Sequence, residues 1–161
     1  MKKGSTLFLR LAIIAIGLIA LLFCIFLVPS LGSDIIDTWP SLAYVHYIIM
    51  AVSYLSVIPF FIILQQGWKL LNFVDKNTAF SQVSVKALNW IKYAAVTIGI
   101  LYALYIPFLF YPVAQADDAP GLIIIGLVIA GTPFVFAVFT AVLKRLLQNA
   151  IEFKSENELT V

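Results

Sequence analysis

Long apolar stretches alternate with short polar ones along this chain. Four runs, 7–28, 42–64, 93–113 and 122–143, carry almost no charge. A helix needs about 20 apolar residues to cross a bilayer, so each run is long enough to span one. Between the second and third lies the one long polar segment inside the chain, Gln65 to Tyr93, QQGWKLLNFVDKNTAFSQVSVKALNWIKY. The pattern predicts two membrane hairpins joined by a polar linker. Pro29 is expected to end the first helix and Pro112 the third, because proline removes a backbone donor. The loop LGSDIIDTWPS then leads to Ser41, a plausible N-cap of the second span, and AQADDAPG joins the third span to the fourth.

Within the linker, Asp75-Lys76-Asn77-Thr78 reads as a turn. Phe80-Ser81 then opens a helix, with Ser81 as its cap and Phe80 and Val85 at the positions of a hydrophobic staple. Phe80, Val83, Ala87, Leu88 and Ile91 share one face; Gln82, Lys86, Asn89 and Lys92 point the other way. This predicts an amphipathic helix lying on the membrane surface before the chain turns in at Tyr93. Trp90 and Tyr93 suit an interfacial aromatic belt, as does Trp39. In the fourth span Gly126, Ala130, Pro133, Ala137 and Ala141 form a face of small residues, which suits helix packing in lipid or a homodimer contact. Helical spacing continues through Leu143, Leu146, Leu147, Ala150 and Ile151, so the fourth helix is expected to leave the bilayer by a few turns. The acidic tail SENELTV is expected to be loosely ordered.

Composition turns this pattern into a statement about solvent. The 161 residues are 63% hydrophobic and 11% charged, with a mean hydropathy of +1.05. Soluble domains carry about 25% charge. The expected fold is all-α, an integral membrane four-helix bundle with a cytoplasmic amphipathic linker helix, the whole of 1–161 forming one domain. All ten Lys and Arg fall on one side of a four-span arrangement: Lys2, Lys3 and Arg10; Lys69, Lys76, Lys86 and Lys92; Lys144, Arg145 and Lys154. The other two loops hold Asp34, Asp37, Asp117 and Asp118 and no base. The positive-inside bias places the basic side and both termini in the cytoplasm of a bacterial cell. A cleaved secretory leader competes for the N-terminal segment, but its apolar run exceeds the roughly 7–15 residues of a signal core. Cys24, in mid-span, has no partner for an intramolecular disulfide and reads as a small packed residue.

Candidate chemistry is sparse. The spans contain no Asp, Glu or Lys, and Arg10 lies near an end, where it can snorkel. Ion-coupled carriers usually hold ionisable groups at depth. A small oligomeric pore lined by hydroxyls and carbonyls stays open as a reading. Pro59, Pro107 and Pro133 free carbonyls within spans, for kinks or for a binding site. His46, flanked by Tyr44 and Tyr47, is a packed or interfacial histidine, or a pH sensor, since a free imidazole changes charge near neutral pH. The four outer aspartates enforce topology or collect a cation or cationic peptide. HExxH, GxSxG and phosphate-cradling glycine loops are absent, so no catalytic, cofactor-binding or metal-ligating residue is expected.

AFSQVSVKALNWIKYAA, with the preceding FVDKN and the acidic ending SENELTV, resembles the hallmark of the YoaS-like family, uncharacterised bacterial four-helix membrane proteins with a domain of unknown function. Ala79 stands where many relatives carry proline. The resemblance covers almost the whole chain and brings no catalytic residue. Family members are often encoded near small helix-turn-helix regulators, which implies a signalling or regulatory role. The expectation is a non-enzymatic membrane protein, embedded in the lipid bilayer, that binds a cytoplasmic regulatory protein through Phe80, Ser81, Lys86, Lys92, Lys144 and Arg145, without direct nucleic-acid contact. The rival expectations are a small homo-oligomeric transporter or channel, and self-protection against a membrane-active peptide.

Overall fold

A computed structural model describes residues 3–160, and every regular element among them is helical. The helices are α1 (Lys3–Leu22), α2 (Val28–Thr38), α3 (Ala43–Asp75), α4 (Gln82–Ala116) and α5 (Gly121–Thr160). A single π turn, Phe23–Leu27, joins α1 to α2, and a short 3-10 turn, Pro40–Leu42, precedes α3. The chain thus forms four stretches long and apolar enough to cross a membrane: Gly4–Thr38, Pro40–Asp75, Gln82–Ala116 and Gly121–Thr160. Each apolar run read from the sequence falls inside one of them.

Pro29 does not end the first helix. It sits in the first turn of α2, where its missing N–H leaves no gap inside that helix. The gap is passed backwards instead. Val28 N–H reaches the Phe23 carbonyl five residues earlier, which is the π spacing. In that register the carbonyl of Cys24 would look to Pro29, which has no donor. The Tyr54 hydroxyl supplies one, donating to Cys24 O at 3.3 Å from α3. Most of the expected loop LGSDIIDTWPS is therefore helical. Ser41 lies within the 3-10 turn, and the residue at the N-cap of α3 is Leu42.

Pro112 likewise lies inside α4. That helix stops four residues later through a left-handed residue, Asp118, at φ 48°. Ala119 N–H then returns to the Ala114 carbonyl at 3.0 Å. Helix α3 ends the same way. Asn77 takes φ 57°, Asn77 N–H bonds Val74 O, and Thr78 N–H bonds Phe73 O at 2.8 Å. Asn and Asp accept this conformation more readily than other residues with a side chain. The expected turn at Asp75–Thr78 is thus present. The acidic ending is helical as far as Thr160. It holds no Gly or Pro to stop a helix already nucleated upstream.

The linker helix is not a separate surface element. Gln82–Ala116 is one helix, and its polar first turns run straight into its apolar part. Ser81 occupies the N-cap with extended backbone, but its hydroxyl donates to Thr78 O at 2.6 Å rather than capping the helix. The buried face is also rotated from the expected one. Ala87 and Ile91 are buried, as are Ser84 and Val85, while Phe80 and Val83 are exposed.

The helices pack largely in chain order: α1 and α2 on α3, α3 on α4, and α4 on α5. Gly99 faces Phe134, and Gly126 faces Ile106 and Phe110, so α4 and α5 run antiparallel at close range. The small-residue face of α5 lies in this contact, with Gly126, Ala130 and Ala137 buried. Val28, Val45 and Ile49 form a second buried cluster between α2 and α3, joined by Tyr105 and Leu109 of α4.

Candidate functional site at the basic end

Antiparallel packing gathers the described Lys and Arg side chains at one end. Arg10 of α1 reaches across to α3, where its guanidinium donates to Asn72 Oδ1 at 2.6 Å and to Asp75 Oδ2 at 2.7 Å. It also lies 5.2 Å from the Trp68 ring centroid. Both hydrogen bonds come from the terminal Nη2, beyond the reach of a shorter lysine side chain, while Nε is buried without a partner. Arg10 thus ties the start of α1 to the end of α3. Arg10 therefore does not snorkel freely, and half-buried Asn72, a polar residue within LLNFVD, is the sequence signal for its partner.

On the opposite side, the Lys144 ammonium donates to Asn89 Oδ1 at 2.9 Å, and the Lys92 ammonium lies 4.6 Å over the Tyr93 ring. The expected partner residues divide accordingly. Phe80, Lys86 and Arg145 are exposed. Lys92 and Lys144 are half-buried against their neighbours, and Ser81 is taken up by the turn. The Asn89–Lys144 contact sets the register of α4 and α5. It places Gln82 roughly level with Ile151, so α5 continues about 13 Å beyond α4. The exposure pattern agrees: from Glu152 to Thr160 every residue is exposed. Phe153 is 68% and Phe80 58% exposed.

The middle and the far end carry less chemistry. A cavity of about 380 Å³ opens between α1, α3 and α4, beside the π turn. Its polar lining is Ser53, Ser56, Cys24 and Tyr102, among Val28, Phe60 and Ile98. At the acidic end the His46 ring packs against the backbone of Gly32, with Nδ1 buried and without a hydrogen-bond partner. Asp34, Asp37, Asp117 and Asp118 are exposed there. No group of three or more His, Cys, Asp or Glu among the described residues is placed to hold a metal ion.

Four helices of membrane length, apolar side chains turned outward along them, and polar groups confined mainly to the ends define a multi-pass membrane protein. The chain belongs to the family described as "Protein of unknown function (DUF2975)", whose model matches residues 30–161. It is 50% identical over 161 residues, the full length of both chains, to a protein of Bacillus subtilis (strain 168) named "Uncharacterized membrane protein YoaS". The YoaS-like resemblance read from AFSQVSVKALNWIKYAA is therefore borne out. No solved structure matches the chain.

Proposed function

We infer that this protein sits in the bacterial cell membrane with its basic end and both termini in the cytoplasm, and that it catalyses no reaction. Its work is to engage a cytoplasmic regulatory partner through that end. The observation carrying this reading is the helical projection 152–160. It leaves Phe153 and Leu159 exposed on the polar side, where lipid does not cover them, and Phe80 is exposed at the same end. Exposed aromatics on a rigid element are what protein interfaces use as anchors. Lys86 and Arg145 add a positive rim suited to acidic groups on a partner. The test is a photo-crosslinking residue at Phe80 or Phe153 in living cells, with lipid-facing Val138 as the control. A discrete protein adduct at the first two positions, lost on adding Lys86→Glu, supports the reading. Lipid adducts alone at all three positions refute it.

A small transporter is the second reading, and the cavity beside the π turn is what favours it. A π turn widens a helix locally and often marks a functional site, and here Ser53, Ser56 and Tyr102 bring polar groups to the space beside it. Solute flux into proteoliposomes that Tyr102→Ala or Ser56→Val abolishes would select this reading over the first.

A further inference from the structure

Lys92 is the last charged residue before the apolar part of α4, and Lys144 the first after that of α5. No Asp, Glu, Lys or Arg lies between Lys92 and Asp117, or between Asp118 and Lys144. The two lysines therefore mark the hydrocarbon boundary of the α4–α5 pair. Exposed Trp90 and Tyr93 bracket the same level.

Neither lysine extends freely into water. Lys144 adds one more turn to the buried stripe Gly126, Ala130, Ala137 and Thr140. Its ammonium rests on the Asn89 amide. Asn89 stands three residues before Lys92 on α4, about 4.5 Å of helical rise. Lys92 in turn rests on a tyrosine ring. Both partners are neutral. Among the described residues the ion pair present is Arg10–Asp75, and no described carboxylate is in ion-pair contact with Lys92 or Lys144. Two half-buried like charges, within about one turn of each other along the α4–α5 pair and resting only on an amide and a ring, favour a counter-anion from outside. Lipid phosphate is the anion concentrated at that depth. A soluble anion would have to leave bulk water to reach it.

We propose that Lys92 and Lys144 form an interhelical site for the phosphate of an anionic phospholipid, with its acyl chains along the lipid-facing sides of α4 and α5. Exposed Lys86 and Arg145 extend the positive field around it. This site goes beyond the partner-binding reading and does not depend on it.

The test measures lipid binding to the full-length protein in neutral detergent. The probes are phosphatidylglycerol and phosphatidylcholine of identical acyl chains, counted by native mass spectrometry. Wild type should prefer phosphatidylglycerol. Lys92→Gln with Lys144→Gln should lower its apparent affinity roughly 30-fold, at about the surface value for two lysines. Phosphatidylcholine binding should not change. Lys69→Gln with Lys76→Gln removes the same charge from exposed positions on the α3 side and should cost less than about threefold. Equal losses in the two double variants would mean diffuse attraction and overturn the site. Wild type without a headgroup preference would also overturn it, whatever the variants do. Displacement of the lipid by millimolar inorganic phosphate would reassign the site to a soluble anion.

Discussion

The contact between α4 and α5 rests on side chains that are missing, and Gly126 is where this can be measured. A β-carbon there would stand 2.7 Å from Ile106 Cγ2 and 3.0 Å from Phe110 Cγ. Ile106 is 5% exposed, and Cγ is the root of the Phe110 ring, so neither atom is the free end of a flexible chain. Gly126→Ala must therefore lift α5 from α4 or force Ile106 from its rotamer. Overpacking of this kind costs about 1–3 kcal/mol. Alanine returns about 0.5–1 kcal/mol through its better helix propensity. The net expectation is a loss of about 0–2.5 kcal/mol relative to wild type, and of about 1–3 kcal/mol relative to an alanine that meets no clash. Gly131 supplies the matched control, since a β-carbon there meets nothing within 4 Å. Gly131→Ala keeps the gain without the clash and should leave stability unchanged or raised. Unfolding in mixed micelles titrated with an anionic detergent, followed by helical circular dichroism, reads both variants. If Gly126→Ala is as stable as Gly131→Ala, the close α4–α5 approach is wrong.

Other substitutions probe the remaining joints in the same assay. Arg10→Ala removes a half-exposed ion pair, a hydrogen bond and a cation–π contact, and should cost about 1–2 kcal/mol; Arg10→Lys should recover less than half of it. Gly32→Ala would drive a methyl group into His46 Nδ1, with Cε1 at 2.7 Å, and should destabilise by about 3 kcal/mol, the upper end for overpacking, with His46→Ala suppressing the effect. Tyr54→Phe removes a long hydrogen bond to Cys24 O, worth about 0.6 kcal/mol or less in lipid, so a larger loss would mean the π turn depends on it.

The large features were legible because lipid imposes them. Apolar runs of membrane length can only be helices there, and the clustering of Lys and Arg fixed which ends of those helices lie together. The small face of α5 and the turn at Asp75–Thr78 were readable from residue type. The errors came from carrying soluble-protein punctuation into a membrane chain. In a soluble chain Pro29 and Pro112 would mark helix ends. Pro29 instead follows a π turn whose free carbonyl is met by Tyr54, and Pro112 sits within a helix that ends only at the Asp117-Asp118 turn. Polarity was also mistaken for a break. Lys69 to Asp75, Gln82 to Lys92 and the acidic tail are polar but hold no helix breaker, so α3, α4 and α5 run through them. The contacts at the basic end were the least legible part. Asn72 and Asn89 find their partners 62 and 55 residues away, at distances that only the packing determines.

The reading stands on which side of the membrane the basic end faces, and cysteine labelling measures that directly. In a Cys24→Ala background, single cysteines at Asp34, Lys86, Asp117 and Phe153 are exposed to a membrane-impermeant maleimide in intact cells. Labelling at Asp34 and Asp117, with Lys86 and Phe153 reacting only after the membrane is opened, is the predicted result. Labelling of Lys86 or Phe153 in intact cells would place the basic end outside and contradict the account.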